Sequence, residues 1–273
     1  MVAQQPKSMV LNIYGAYGRR LGGWISIAGL VALLGDLGVD ERAARSAVSR
    51  MKQRDLLVPE RRQGRIGYAL TDYAKDILEE GDERIFARRP PAKLEDGWVV
   101  AVFSVPESKR GERHLLRSRL AWQGFGNVSP GVWIAPWRLA DGARRLVLRL
   151  GMDGYVDLFR ADHEGFETTA ARVARWWNLD RLGAEYAQFA EEHSATAARW
   201  RRSGGDGRAA FVDYLRVVSA WQRFPYLDPG LPSELLPPAW EGERAAEIFF
   251  DLVDLLSGLG ERYVSTVLSR YSA

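Results

Sequence analysis

Apolar positions along the first ninety residues recur with helical spacing and then give way to short strand-like runs. Residues 8–22 open on Ser8, a helix-capping residue, and place Met9, Ile13, Ala16 and Tyr17 at helical intervals before Gly22-Gly23. Ser26 to Leu37 repeats the period with Ile27, Leu30, Val31 and Leu34, and Gly38 closes it. Asp40 then caps a third helix reaching Arg54, with Ala44, Val48 and Met51 as its buried stripe. Only Gly38-Val39-Asp40 separates the second helix from the third, the short connection of a helix-turn-helix. Leu56 to Glu60 and Ile66 to Leu70 read as two strands joined by the turn Arg61-Arg62-Gln63-Gly64-Arg65, and Thr71 caps a further helix to about Phe86.

Beyond the charged, proline-containing stretch Arg88-Arg89-Pro90-Pro91 the pattern restarts. Trp98 to Phe103 is a buried strand, and Pro106 to Trp122 is a helix with Leu115, Leu116 and Leu120 inward. Gly126 to Val128 and Val132 to Ala135 pair around Ser129-Pro130-Gly131, Asp141 to Leu150 is helical, and Tyr155 to Phe159 is a last strand. The order β-α-β-β-α-β predicts a ferredoxin-like unit. From about Phe166 the spacing is helical: Thr168 to Asn178, Leu179 to Thr196, Ala209 to Arg223, then a Pro-rich turn at Pro225 to Pro238, a helix from Gly242 to Leu259 and another to Tyr271. The expected fold class is α+β and multidomain: a winged helix-turn-helix over 1–88, a ferredoxin-like domain over 89–165 serving dimerisation or effector sensing, and a helical domain over 166–273. The stripe Ala246, Phe249, Phe250, Val253, Leu256 and Leu259 reads either as ordinary core or as a subunit interface.

Composition narrows the chemistry. The 273 residues include no Cys, which removes disulfide scaffolds and thiolate metal sites, and three widely spaced His, which disfavours a His-based metal centre or a Ser-His-Asp enzyme. The net charge of +3 is small, but it is unevenly placed: residues 1–70 carry 11 Lys/Arg against 5 Asp/Glu, and the other 203 carry 27 against 30. A basic module joined to a different kind of domain is the expected reading. The most apolar run, Trp24 to Leu34, is about half the ~20 residues needed to cross a bilayer, and the N-terminus is polar. A cytoplasmic protein without a membrane partner is expected.

Double-stranded DNA is the partner this layout implies. Arg42, Arg45, Ser46, Ser49, Arg50 and Lys52 lie off the buried stripe of the third helix, where they can reach base edges in a major groove. Arg61, Arg62 and Arg65 arm the hairpin that follows and suit phosphate contacts. Any exposed helix carries Arg and Ser as a solvated face; the succession helix, helix, short turn, basic helix, basic hairpin, helix is what favours DNA.

These same residues resemble a known family. Ala44-Arg45-Ser46-Ala47-Val48-Ser49-Arg50-Met51 and Gly64-Arg65-Ile66-Gly67-Tyr68-Ala69-Leu70-Thr71 are similar to the recognition helix and wing of PaaX-type transcriptional repressors. Trp221-Gln222-Arg223-Phe224-Pro225-Tyr226-Leu227-Asp228-Pro229-Gly230-Leu231-Pro232, with Leu235-Leu236-Pro237 and Trp240, resembles the C-terminal block of that family and is the more specific part. Met51 stands where the family usually has Leu, and Asp55-Leu56 where it has Gly-Trp. The resemblance implies a homodimeric repressor of a catabolic operon, typically for phenylacetate, released from its operator by an aryl-acetyl-CoA thioester.

Such an effector needs an apolar slot and cations for its phosphates. Trp176, Trp177, Trp221, Phe224, Tyr226 and Trp240 are candidates for the slot and Arg175 and Arg223 for the cations, although the same aromatics equally suit a core. No cofactor, metal or catalytic residue is expected. The competing reading is a nucleic-acid-processing enzyme, because the middle segment is similar to ferredoxin-like endoribonucleases of CRISPR systems. Those hold a metal with an Asp at the end of the first strand, where this chain has Phe103-Ser104-Val105-Pro106 and no hard oxygen ligand. Gly124-Phe125-Gly126 and Gly204-Gly205-Asp206-Gly207 lack the signature of a phosphate loop.

Overall fold

The computed structural model describes residues 6–88 and 90–271 and divides the chain by compactness into two units. One comprises the segment ending at Ala87, Phe189–Gln222 and the segment from Arg244; the other comprises Arg88–Gln188 and Arg223–Glu243. The sequence boundaries at 88 and 165 follow motifs, whereas packing distributes the C-terminal third over both units.

In the first unit, α1 (Pro6–Ile13) continues into a π-helical turn at Tyr14–Gly18. Ser8 therefore lies inside the helix and does not cap it. A three-residue strand, β1 (Trp24–Ser26), follows and leads into α2 (Ile27–Asp36), whose first turn is capped by Ser26 Oγ accepting from Gly29 N at 3.1 Å. After Gly38, which takes a left-handed φ of 81°, α3 runs Glu41–Gln53. Asp40 caps it, Oδ1 accepting from Ala43 N at 2.9 Å, and Ala44, Ala47, Val48 and Met51 are buried. β2 (Leu57–Arg62) and β3 (Arg65–Leu70) form a hairpin whose loop is only Gln63-Gly64, with φ of 49° and 77°. Two successive positive φ values mark a type I′ turn, whose twist matches the strands it joins. The predicted five-residue turn is thus corrected: Arg61, Arg62 and Arg65 stand on strand ends. The sheet order is β1-β3-β2, and Thr71 Oγ1 caps α4 (Asp72–Ile85).

Gly67 shows why that sheet accepts β1. A Cβ there would fall 2.4 Å from the Trp24 ring and 2.6 Å from the Ile25 carbonyl oxygen. The indole can lie across the strand only because the position has no side chain. Gly67→Ala is expected to cost about 1–3 kcal/mol by overpacking, read as a lowered denaturation midpoint.

The second unit carries a four-stranded antiparallel sheet, β4 (Trp98–Phe103), β5 (Gly126–Ser129), β6 (Val132–Pro136) and β7 (Val156–Ala161), in the order β5-β6-β4-β7. With α5 (Arg110–Trp122) between β4 and β5 and α6 (Ala140–Arg149) between β6 and β7, this is the ferredoxin-like arrangement. Both helices bury Leu116, Leu120, Ala143, Leu146 and Val147 against Val99, Ala101 and Trp133 of the sheet. Leu115, expected inward, is 41% exposed. Leu116 and Leu120 stand one turn apart on the sheet-facing side, and Leu115, about 100° around the helix from Leu116, falls outside that stripe. On the other sheet face Trp98 and Ile134 pack with Val173, Trp177, Leu179, Leu231 and Leu235.

The remaining described helices are α7 (Thr169–Trp176), α8 (Leu179–Ser203), α9 (Gly207–Trp221), the short α10 (Phe224–Leu227) and α11 (Gly242–Arg270). α11 is one helix, not two, and its spine of Ala245, Phe249, Leu252, Leu256, Val264 and Leu268 is buried within this chain. Among the described residues no helix is long and apolar enough to cross a membrane.

Candidate nucleic-acid interface and ligand cavities

The outward side of α3 follows from its caps and its stripe. With four apolar residues fixed inward, Arg42, Arg45, Ser46, Ser49, Arg50 and Lys52 are all exposed. Arg50 Nη1 donates to Ser46 Oγ at 2.8 Å, and Arg45 Nε donates to Glu41 Oε1 at 2.8 Å, one turn back. Exposed pairs of this kind are worth about 0.3–0.5 kcal/mol, so these side chains are readily released from them. Among the described residues, Arg42 and Lys52 carry no side-chain partner.

The hairpin sets Arg62 directly across from Arg65. Like charges opposed across a strand pair repel. Here Arg62 is neutralised by Glu60, Nε to Oε1 at 2.7 Å, and rests over the Trp24 ring at 5.6 Å. The guanidinium in turn holds the Glu60 carboxyl below the usual carboxylate range. Arg65 donates to the Tyr271 carbonyl at 3.1 Å, while Arg61 has no side-chain partner among the described residues.

The helix-turn-helix is braced from behind. Asp36, the last residue of α2, accepts from Arg208 Nε at 2.6 Å and Tyr263 Oη at 2.5 Å, on α9 and α11. Burial, reinforced by that carboxylate, pushes the Tyr263 hydroxyl up to about 12. Asn12 on α1 donates to Ser219 on α9 at 2.7 Å. α9 and α11 thus fix the orientation of the module that carries the basic face, a role that no sequence motif announces.

Cavities in the second unit include two that share Trp177, Asn178 and Leu179. The larger, about 510 Å³, is lined by Ala174, Arg175, Trp176, Trp177, Leu236 and Pro237, among others. The smaller, about 260 Å³, lies against Trp177, Leu179, Arg181, Glu185 and Arg223. Of the aromatics expected in an effector slot, Trp176 and Trp177 line these spaces. Phe224 is buried and stacks on Tyr186, centroids 4.3 Å apart, with Trp240 edge-on to that Tyr at 5.5 Å. Tyr226 stacks on Trp122 at 5.1 Å. Trp221 belongs to the other unit, stacked on Phe249 at 4.6 Å with Nε1 donating to the Ile85 carbonyl at 3.2 Å.

Three family models match in succession: "PaaX-like protein" over residues 5–74, "PaaX protein central Cas2-like domain" over 91–173, and "PaaX-like protein C-terminal domain" over 177–266. The chain belongs to the PaaX family. A curated relative, the transcriptional repressor PaaX of Escherichia coli strain K12, is 25% identical over 264 residues, covering 94% of this chain and 82% of its own length. A solved structure of an uncharacterized protein from Mycobacterium tuberculosis aligns with a TM-score of 0.59 at 22% identity, covering 98% of this chain and 99% of its own, a likeness of fold.

In this PaaX chain the block Trp221 to Pro232 fastens structure. The enclosed Asp228 carboxylate accepts from Tyr186 Oη at 2.7 Å and from Gly230 N at 2.6 Å. Burial raises its pKa above the usual carboxylate value, with those hydrogen bonds and Arg138 acting in the opposite direction. Arg138 donates to the Pro229 carbonyl at 2.9 Å, and Ala92 N donates to the Gly230 carbonyl at 3.1 Å. At the end of β4, Ser104 N donates to the Tyr155 carbonyl, and the nearest ladder position bearing a carboxylate is Asp157, opposite Val102. Among the described residues no three His, Asp or Glu converge as a metal site.

Proposed function

We propose that this chain is a transcriptional repressor that binds operator DNA as a homodimer through α3 and the β2–β3 wing, and that an aryl-acetyl-CoA releases it. The exposed face Arg42, Arg45, Ser46, Ser49 and Arg50, set on a capped helix behind a four-residue turn and followed by an Arg-bearing hairpin, carries this reading. The Escherichia coli relative bears the name of a transcriptional repressor. In a dimer each subunit offers one recognition helix to one half-site, so the spacing of the two helices selects the operator. The repressor acts without catalysis, and it is expected in the cytoplasm with the DNA it reads.

Release requires that the effector bind the operator-incompetent arrangement more tightly than the competent one. The 510 Å³ cavity is within the range of small-molecule sites, and the indoles of Trp176 and Trp177 with Leu236 and Pro237 suit an aryl-acyl group. Arg175 and Arg223 are the cations for its phosphates. Arg175 lies 3.1 Å from the exposed Glu167, so a phosphate exchanges readily for that carboxylate, and Arg223 lies 3.1 Å from the half-buried Glu185, which keeps Arg181 as a partner when Arg223 turns to a phosphate. Phe224, Tyr226 and Trp240 support the frame of this site through their stacking partners.

The test is fluorescence anisotropy on a duplex carrying the promoter upstream of the chain's own gene. Arg45→Ala and Arg50→Ala are each expected to weaken operator binding by about 1–3 kcal/mol and to relax sequence discrimination. Removing one of Arg61, Arg62 or Arg65 is expected to lower the salt slope by roughly one with discrimination kept. Operator affinity unchanged in both α3 variants would sink the recognition-helix assignment. Indifference of the complex to phenylacetyl-CoA and related thioesters would sink the effector while leaving DNA binding in place.

A further inference from the structure

The outer faces of α5 and α6 hold a concentration of positive charge that the α3 and wing surface does not account for. Their 23 residues carry seven Arg against two carboxylates, Glu112 and Asp141, whereas the rest of the chain after Leu70 carries 20 Lys/Arg against 28 Asp/Glu. Arg110, Arg117 and Arg119 on α5 and Arg144, Arg145 and Arg149 on α6 are exposed. Glu112 is already bound by Lys109 at 3.2 Å, and Arg113 turns to Glu107 at 2.7 Å. Among the described residues, the side chains of Arg110, Arg117, Arg119, Arg144 and Arg145 form no ion pair or hydrogen bond. Several arginines elsewhere, such as Arg201 with Asp251 and Arg208 with Asp36, are matched to carboxylates, whereas Arg42 and Arg61, on the surface already assigned to DNA, are not. Leaving five guanidinium groups unmatched on two adjoining helices maintains mutual repulsion that an anionic partner would relieve.

We propose that this face is a second, sequence-independent contact surface for the sugar-phosphate backbone of duplex DNA. The inference rests on the DNA-binding reading above and extends it to the middle domain. Helices of 13 and 10 residues are roughly 20 and 15 Å long, and duplex DNA presents one phosphate charge per about 1.7 Å of axis, so several contacts fit along them. Planar guanidinium groups suit phosphate oxygens bidentately. A membrane surface is the weaker fit. An interfacial helix needs a free apolar face, and here those faces are consumed by the sheet, leaving Leu115 and Leu148 as exposed leucines beside arginines.

The experiment uses the full-length protein and a long duplex containing the operator, with affinity measured between 50 and 200 mM salt, conditions that span about the range over which phosphate contacts are read out. The triple variant Arg117→Ala/Arg144→Ala/Arg145→Ala is expected to lower the slope of log affinity against log salt by at least about one, at roughly 0.9 per lost phosphate contact. The ratio of operator to random-sequence affinity stays as in wild type, because backbone contacts carry no sequence information. The corresponding triple Lys variant restores most of the slope, and an unchanged thermal melt shows that the fold is intact. A slope equal to wild type in the triple Ala variant, while Arg45→Ala still loses operator affinity, would overturn the inference and leave the DNA-binding reading standing. Wild-type protein that binds no duplex would overturn both. Vesicles containing phosphatidylserine form a control arm: binding that the triple variant loses, with its DNA slope unaltered, would assign the face to a membrane and refute the proposal.

Discussion

Trp221→Ala is expected to lower the melting temperature by roughly 10 °C or more, from a loss of about 3–5 kcal/mol, without changing the effector concentration that half-releases the operator. The indole is 5% exposed, lies parallel to Phe249 at 4.6 Å and meets Phe189 at 5.3 Å. Truncation removes a large apolar surface from the centre of the first unit, leaves a cavity, and strips the Ile85 carbonyl of its donor, Trp221 Nε1. Trp221→Phe keeps a stacked ring but loses the N–H and part of the indole volume, a smaller loss than Trp221→Ala that includes about 1–3 kcal/mol for an acceptor left without a partner. Thermal melts of both variants with an effector titration on the folded fraction check this. A Trp221→Ala protein that melts like wild type but needs far more phenylacetyl-CoA would return this residue to the ligand site.

The two roles that sequence left open for Trp221 show where reading a chain stops. Aromatic content and the block from Trp221 to Pro232 identify a family, but the partition of that block between compact units depends on contacts with residues distant in sequence, such as Phe249 and Ile85. Local features were legible because their causes are local. Asp40 and Thr71 cap the helices they precede, and the unbroken apolar run Trp98 to Phe103 is a strand with Trp98, Val99, Ala101 and Phe103 buried. Failures came where tertiary packing overrides such signals. β1 hides in an apolar run because three residues are too few to show a period, and its place depends on Gly67 across the sheet. The helix end expected at Leu259 is followed by Gly260. In the fold it sits mid-helix, where a Cβ would come within 2.5 Å of the Tyr17 hydroxyl, so its smallness serves a close approach. The outward face of α3 was legible residue by residue, since a 3.6-residue stripe fixes what points outward. Its bracing through Asp36, Arg208 and Tyr263 spans more than 170 positions and leaves no pattern.

Asp228→Ala and Asp228→Asn are expected to separate sharply, and their difference measures what the PaaX C-terminal block does. Alanine leaves the Tyr186 hydroxyl and the Gly230 amide without their shared acceptor, at about 1–3 kcal/mol for each buried group, or roughly 2–6 kcal/mol together. Asparagine retains both contacts: Oδ1 accepts from Gly230 N, and Nδ2 donates to the Tyr186 oxygen. It also removes the charge whose burial raises the Asp228 pKa. The sign of the pH dependence follows from that direction. A carboxyl with a folded pKa above its unfolded value is held protonated more firmly in the native state, so its contribution to stability declines as pH rises from the unfolded pKa through the folded one. Asp228→Asn abolishes that decline and is expected to be at least as stable as wild type above this window, whereas Asp228→Ala is less stable than Asp228→Asn at every pH. Urea denaturation of the three proteins across the acid range reads both effects. Equal midpoints for the Ala and Asn variants would show that the Tyr186–Asp228–Gly230 bonds do not hold the block in place.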